Sequence, residues 1–411
     1  MFADLHAHYP MRVVTDVDPG TTSSLMRKGK KATLRDRVQA LVLRVAQEVG
    51  NFPSWDGTYR ITPEKLQAGD IGLAMSVLFR PFDEMDLGKR YAAPPDEDYF
   101  GRLIEDLESV EAEVKEHGPG KVRIAHDRAE LDAGIAAGVP TLVHAVEGGF
   151  HLGDTDAEIE ANCHELKHRG VGYVTVAHLF FRQVATNANA VPFIPDPIYD
   201  VFFPQRGSDR LTPRGEALVR SLVENRILVD LSHMDPPAIS ETLLFMDSVD
   251  PDRTMPVIST HAGFRFGKQQ YMHDADQLRK IRDRDGVVGL IMAQHQLNDG
   301  LSRLLPKGEK DTKTITQSMP FVFEHIDAIA KAMGDEEKPS YDHIAIGSDL
   351  DGFIKPTIGG IENISDLPSL EQPLRDKYGD EIAEKIMWKN ALRVLHKLWP
   401  ERTIRYVPEP I

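Results

Sequence analysis

The sequence predicts an α/β chain folded as a TIM-like (β/α)8 barrel with extended βα loops and a C-terminal helix. Three observations carry this. Short runs rich in Val, Ile and Leu recur eight times, at residues 2–8, 71–78, 140–146, 172–177, 227–231, 256–260, 286–292 and 343–347. Helix-like stretches lie between them, among them 96–117, 156–169, 213–225, 274–284 and 319–333. Strands alternating with helices form a parallel sheet, and eight such units favour a closed barrel over an open doubly wound sheet. Finally, histidines and carboxylates gather where these runs end, the face on which such barrels carry their chemistry.

Taken in order, the first run ends Asp4-Leu-His6-Ala-His8. Side chains two apart on a strand share a face, so both imidazoles turn toward the barrel axis. A lone histidine would read as structural; the pair reads as metal ligation. The stretch 18–65 is then too long for a minimal barrel connection, a long insertion between the first strand and its helix. It holds a basic patch (Arg27, Lys28, Lys30, Lys31) and an amphipathic helix over about 34–49. The patch is either a solvated approach to that helix or a lid over the barrel mouth.

The run at 140–146 leads through His144-Ala-Val to Glu147-Gly-Gly. Burying that carboxylate is costly unless a cation accepts it, and the glycines let backbone approach closely. The next three runs lead to His178, His233 and His261. Thr212-Pro213 is a good N-cap and first-turn pair for the helix at 213–225. A polar βα loop occupies 300–318, and the last run continues into Ser-Asp349-Leu-Asp351-Gly352. His343, at the other end of that run, reads as a capping or packing residue. His117, His126, His164, His168, His325 and His396 fall in helices or loops and carry no role. Ile382, Ile386, Met387, Ala391, Leu392 and Leu395 sit at near-helical spacing, so 380–398 packs on the outside of the barrel. With no linker or internal repeat, residues 1–411 read as a single domain.

Composition narrows the function. The chain has 411 residues, 48 Lys plus Arg against 64 Asp plus Glu, and a formal charge of −16. That field repels phosphate backbones and anionic lipid, which argues against nucleic-acid or membrane partners. No apolar run reaches the ~18 residues that span a bilayer. The single cysteine, Cys163, forms no intrachain disulfide, and the start lacks a secretory signal, so a cytoplasmic protein is expected.

His6, His8, Glu147, His233 and His261 come from four strands, all at predicted C-terminal ends. Four histidines and a carboxylate exceed one tetrahedral zinc with an open position. They suit two metals sharing a bridging carboxylate, about 3.5–4 Å apart, with a hydroxide between them. Asp349 would move the proton from that water to the leaving amine, and His178 would donate to the developing oxyanion. The chemistry expected is hydrolysis of an amide or a similar bond.

These residues resemble the membrane dipeptidase (renal dipeptidase-like) family of metallopeptidases, within the amidohydrolase superfamily of barrels. The likeness rests on Asp4-Leu-His-Ala-His8, on Val146-Glu147-Gly-Gly149, and on Leu211-Thr-Pro-Arg-Gly-Glu-Ala-Leu-Val-Arg leading into Val229-Asp-Leu-Ser-His233. It continues through Pro256-Val-Ile-Ser-Thr-His261, Ile346-Gly-Ser-Asp349-Leu-Asp-Gly352 and Asn390-Ala-Leu-Arg-Val394. The resemblance implies two zinc ions per chain, bridged by Glu147 and a hydroxide or water. His6 and His8 would hold the first, His233 and His261 the second. Asp349 would be the general acid/base, His178 would contact substrate, and Gly352 would offer it backbone. It also implies dipeptide substrates, often with a D-residue at the C-terminal position, and a homodimer.

Three departures stand out. The family's first motif is His-x-Asp, where this chain has His8. Members carry an arginine for the dipeptide carboxylate a little beyond the position of His261, where this chain reads Lys268-Gln-Gln-Tyr271, so Arg265 or Lys268 becomes the candidate for that role. The segment after His178, Leu-Phe-Phe-Arg-Gln-Val-Ala-Thr-Asn, also differs from the family's polar pattern. An alternative substrate therefore stands beside dipeptides: another amide, an N-acyl amino acid, a cyclic amide or an ester. A non-catalytic scaffold is disfavoured because every ligand and Asp349 are kept. A carbamylated-lysine bridge is disfavoured because Glu147 fills that place.

Overall fold

The computed structural model describes residues 1–13, 59–79, 98–190, 196–205, 210–352 and 357–400. The basic patch and the helix expected at 34–49 lie outside them. Nine strands are found among the described residues: β1 (Phe2–Ala7), β2 (Ile71–Leu78), β3 (Arg123–Ile124), β4 (Thr141–Glu147), β5 (Tyr173–Thr175), β6 (Leu228–Asp230), β7 (Val257–Ala262), β8 (Val287–Leu290) and β9 (Ile344–Ile346). They run in the order β2-β1-β9-β8-β7-β6-β5-β4, and β4 pairs back onto β2, so eight parallel strands close a TIM-like (β/α)8 barrel. The eight apolar runs are these eight strands, displaced by a residue or two at their ends.

The ninth strand, β3, was not legible as one. It pairs Arg123 and Ile124 with Thr141 and Leu142, below the point where β5 begins to pair at Ala145. Two residues carry no periodicity; the short β5 leaves the lower edge of β4 open, and β3 fills it.

The pleat sorts the side chains. Ala3, Leu5, Leu73, Met75, Val77, Val143, Ala145, Tyr173, Leu228 and Ile258 are buried together, while Ala74, Leu78, Leu142, Val146, Val174 and Val229 join the larger core under the helices. The C-terminal segment is helical over Asp380–Glu384, Lys385–Lys389 and Asn390–Leu398, with one π turn in the middle. Ala391, Val394, Leu395 and Leu398 join the cluster that holds Ala3 and Leu5. The segment thus packs on β1, β8 and β9 as well as along the flank.

Helix starts follow the capping residues. Thr212 accepts from the Gly215 amide and Pro213 opens the helix Pro213–Glu224. The helix expected from 319 begins earlier, at Ile315, because Thr314 caps it and Pro320 is carried inside its early turns. Two further helices, Arg128–Ala136 and Pro236–Val249, were not singled out by their periodicity, although Asp127 and Asp235 cap both. The polar loop after β8 is pinned by buried Gln294, whose amide donates to the carbonyls of Thr312 and Thr357.

Candidate metal centre

The centre is built where β1, β4, β6, β7 and β9 end. His6 lies on β1 and His8 just past it, and both turn inward because the pairing of β1 with β2 shifts register between Asp4 and Ala7. Asp4 braces this turn: fully buried, it accepts from the His6 amide at 3.1 Å and from the Ser348 amide and hydroxyl at 2.8 and 2.5 Å. Burial pushes its carboxyl up to about 6, against the pull of those hydrogen bonds. Asp349 follows Ser348 with φ of 57°, and His233 has φ of 67°. Such left-handed backbone at non-glycine residues costs of order 1–3 kcal/mol and persists where the surroundings hold it. Here the Asp349 amide donates to the His6 carbonyl, and the His233 carbonyl accepts from the Ala188 amide.

The five residues expected to bind metal converge. His6 Nε2 and His8 Nε2 are 3.1 Å apart. They stand 3.3 Å from Glu147 Oε1 and 3.6 Å from Oε2, respectively. His233 Nε2 and His261 Nε2 are 2.9 Å apart and stand 3.2 and 3.6 Å from Glu147 Oε1. Bonds of about 2.0–2.1 Å at tetrahedral angles separate zinc ligands by about 3.3 Å. The donors on this rim therefore have the spacing of a metal's coordination sphere, and both oxygens of Glu147 face into it. His178 Nε2 is 3.2 Å from Glu147 Oε2, within ligand range itself and not only at the substrate's edge. Asp349 Oδ1 is 3.3 Å from His8 Nε2 and 3.8 Å from His6 Nε2. Phe79 lies edge-on to His8 and His178, with centroids 4.9 and 5.3 Å away, and forms an apolar wall.

The electrostatics favour ligation. Burial depresses His8, His233 and His261 below the usual imidazole range, with His178 adding to the effect at His233 and His6 at His261. Neutral rings keep a lone pair for a metal. Burial alone would raise Glu147, but the imidazoles of His178, His6 and His233 beside it hold it well below its ordinary value. Asp349 moves the other way: burial pushes it up to about 7 despite its hydrogen bond with His8.

Gly352 borders the same space. A β-carbon there would stand 1.9 Å from Asp349 Oδ1 and 2.6 Å from His8 Nε2, so no other residue fits without moving the centre. The donor set is one that divalent metal ions such as zinc take, and residues of this rim could hold one.

Arg265 does not face this space with a free guanidinium. Its Nε donates to the Met272 carbonyl at 2.8 Å, and its other nitrogens reach Gln270, Asp274 and Gln277. It staples the loop 270–277, and Lys268 is exposed. The loop instead brings buried Tyr271 edge-on to His233, at 5.0 Å between centroids, with its hydroxyl on the His261 carbonyl. A local staple of this kind depends on how the chain folds back, which the spacing of charges does not reveal. Tyr173, Asp230 and Thr260, behind the imidazoles, were also missed. The one available signal was Asp230 itself, a carboxylate inside the apolar strand that ends in His233.

Compared with known proteins, the chain matches the membrane dipeptidase family (Peptidase family M19) over residues 30–402. It belongs to that family. The family's members are metallopeptidases, and the chain is accordingly an enzyme, a hydrolase. The match takes in Glu147, His178, His233, His261 and Asp349; His6 and His8 lie ahead of it, and geometry alone joins them to the rest. The uncharacterized protein in the pqqA 5′ region of Klebsiella pneumoniae is 27% identical over 288 residues, 69% of this chain and 92% of that protein. Dipeptidase tcpJ of Claviceps purpurea is 24% identical over 281 residues, 68% of this chain and 56% of its own length. Among solved structures, a metallo peptidase from Rhodobacter sphaeroides, liganded with a phosphinate mimic of the dipeptide L-Ala-D-Ala, shares the fold. Its TM-score is 0.63 at 19% identity, over 97% of this chain and 99% of that one. Among the described residues, no helix is long and apolar enough to cross a membrane.

Proposed function

We propose that this chain is a dinuclear zinc hydrolase that cleaves the amide bond of dipeptides, including those with a D-residue at the C-terminal position. His6, His8 and Glu147 would hold one ion, and Glu147, His233 and His261 the other. The observation that carries this reading is the position of Glu147, whose two oxygens lie within 3.6 Å of the Nε2 atoms of His6, His8, His233 and His261. The substrate class is supported by the family and by the ligand of the Rhodobacter sphaeroides enzyme.

Zinc held by these residues would supply an acidic water and a positive field for the scissile carbonyl oxygen. Asp349 Oδ1 takes the proton and returns it to the leaving amine. His178 Nε2 donates to the oxyanion. Phe79 keeps bulk water from one side, and Gly352 leaves room for the substrate beside Asp349. Family likeness also supports a homodimer, which sedimentation would test.

A second reading, an amide or ester without a free carboxylate, is supported by the staple that holds Arg265 and by Tyr271 against His233. Metal analysis followed by a substrate panel separates the two. About two zinc equivalents and turnover of L,L and L,D dipeptides, with N-acyl amino acids untouched, are expected. Faster cleavage of the blocked compounds would transfer the site to the second reading, and a chain that takes up no zinc would end both.

A further inference from the structure

A neutral imidazole carries one proton, and which nitrogen bears it is set by the hydrogen bond the ring makes at its back. Behind the metal centre one hydroxyl serves two rings. Thr260 Oγ1 lies 3.0 Å from His6 Nδ1 and 2.8 Å from His261 Nδ1. Its own hydrogen goes to Asp230 Oδ2 at 2.7 Å, which leaves only lone pairs for the rings. Asp230 is fully buried and accepts as well from the hydroxyls of Thr175 (2.6 Å) and Ser232 (2.9 Å) and from the amides of Thr260 (2.9 Å) and Ser232 (3.1 Å). Every group around it is a donor, so the direction of the Thr260 hydrogen is fixed. Both rings must then be protonated on Nδ1, with their Nε2 lone pairs turned to the centre. Tyr173 assists only one of them: its hydroxyl is 2.8 Å from His6 Nδ1 and donates to the Leu5 carbonyl.

We propose that the Thr260 hydroxyl, held by Asp230, is a shared positioning group that presents one imidazole from each half of the metal centre, coupling the two metal positions through a single side chain. This rests on the dinuclear reading above. Neighbouring side chains on a strand normally point to opposite faces, yet Thr260 and His261 both serve the centre. The register shift in β7 between Ser259 and Ala262 allows it. Gly289 and Gly347 make space for that shift, since a β-carbon at either would stand 2.0 or 1.7 Å from the Thr260 carbonyl oxygen.

Partners behind metal-bound histidines typically contribute ~10–100-fold to metal affinity. The test is zinc affinity by chelator competition on the full chain, read as two binding steps, with folding followed by circular dichroism. Thr260→Val is expected to weaken both steps by ~10–100-fold, Thr260→Ser to restore them, and Tyr173→Phe to weaken one step only. Thr260→Ala carries the expectation of Thr260→Val without the added methyl, should valine not be accommodated. Unchanged affinities in the hydroxyl-free variants, or weakening confined to one step, overturn the proposal while leaving the metal centre intact. A failure of Thr260→Ser equal to that of Thr260→Val also overturns it. No zinc uptake by the unmodified chain overturns the dinuclear reading and this proposal together.

Discussion

His8 Nε2 stands 3.3 Å from Asp349 Oδ1, joining the end of the first barrel strand to the turn after the last. Barrel closure makes this contact, because β1 and β9 are neighbours through the Asp4–Ile346 pairing. It also places a carboxylate whose pKa burial has raised to about 7 beside the rim of imidazoles.

Asp349→Asn is expected to keep its zinc and lose turnover. The amide is nearly isosteric, but it cannot accept and return a proton, so kcat should fall by ~10²–10⁴-fold. Zinc content measured beside steady-state rates decides this. Full activity with zinc retained would remove Asp349 from the proton path.

Glu147→Gln should empty the centre. One amide oxygen cannot replace the two carboxylate oxygens that face His6 and His233 at one end and His8 and His178 at the other. A drop of ~10³-fold or more in kcat/KM, about 4 kcal/mol of transition-state stabilisation, is expected together with loss of zinc. Elemental analysis showing two zinc equivalents in this variant would contradict the bridging role.

Gly352→Ala tests the closeness of the cradle. The added β-carbon would meet Asp349 Oδ1 and the His8 ring, so both groups must shift. Overpacking costs about 1–3 kcal/mol, but the effect on kcat should be much larger than the effect on Tm. Equal activity in the alanine variant would show that the centre tolerates displacement.

Acid sensitivity has a source away from the centre. Burial would raise Asp250, but it accepts from the amides of Met255 and Thr254, the Thr254 hydroxyl and Arg284 Nη1, and these hold it below its usual value. A carboxyl depressed in the folded state stabilises above its unfolded pKa, near 3.9. That contribution is lost as pH falls through the lower, folded value. Asp250→Asn should therefore cost ~1.5–3 kcal/mol at pH 7, and the difference from the unmodified chain should shrink below about pH 4. Urea unfolding across this range measures it; a difference that does not change with pH would assign the cost to packing.

Much of the fold was written in local pattern. Eight apolar runs, their helical spacers and the Thr212-Pro213 cap depend on periodicity and backbone preference, which neighbours in sequence fix. The histidines and carboxylates of the centre were legible for a related reason: each ends an apolar strand, and a parallel barrel gathers all strand ends at one rim. The two-residue β3 was not legible, because its formation depends on an edge that the short β5 leaves open.

Tertiary structure alone decided what each of these side chains meets. Arg265 carried a plausible charge at a plausible place, yet the fold-back of 270–277 gives its guanidinium local partners and turns Tyr271 to His233. Thr260 looked like an ordinary strand residue, and a register shift placed its hydroxyl behind two rings that are 255 positions apart in the chain. Strand pattern specifies which face a side chain takes; shifts in register and hydrogen bonds between distant strands specify what it meets. Those depend on closure of the barrel, which no local stretch of sequence contains.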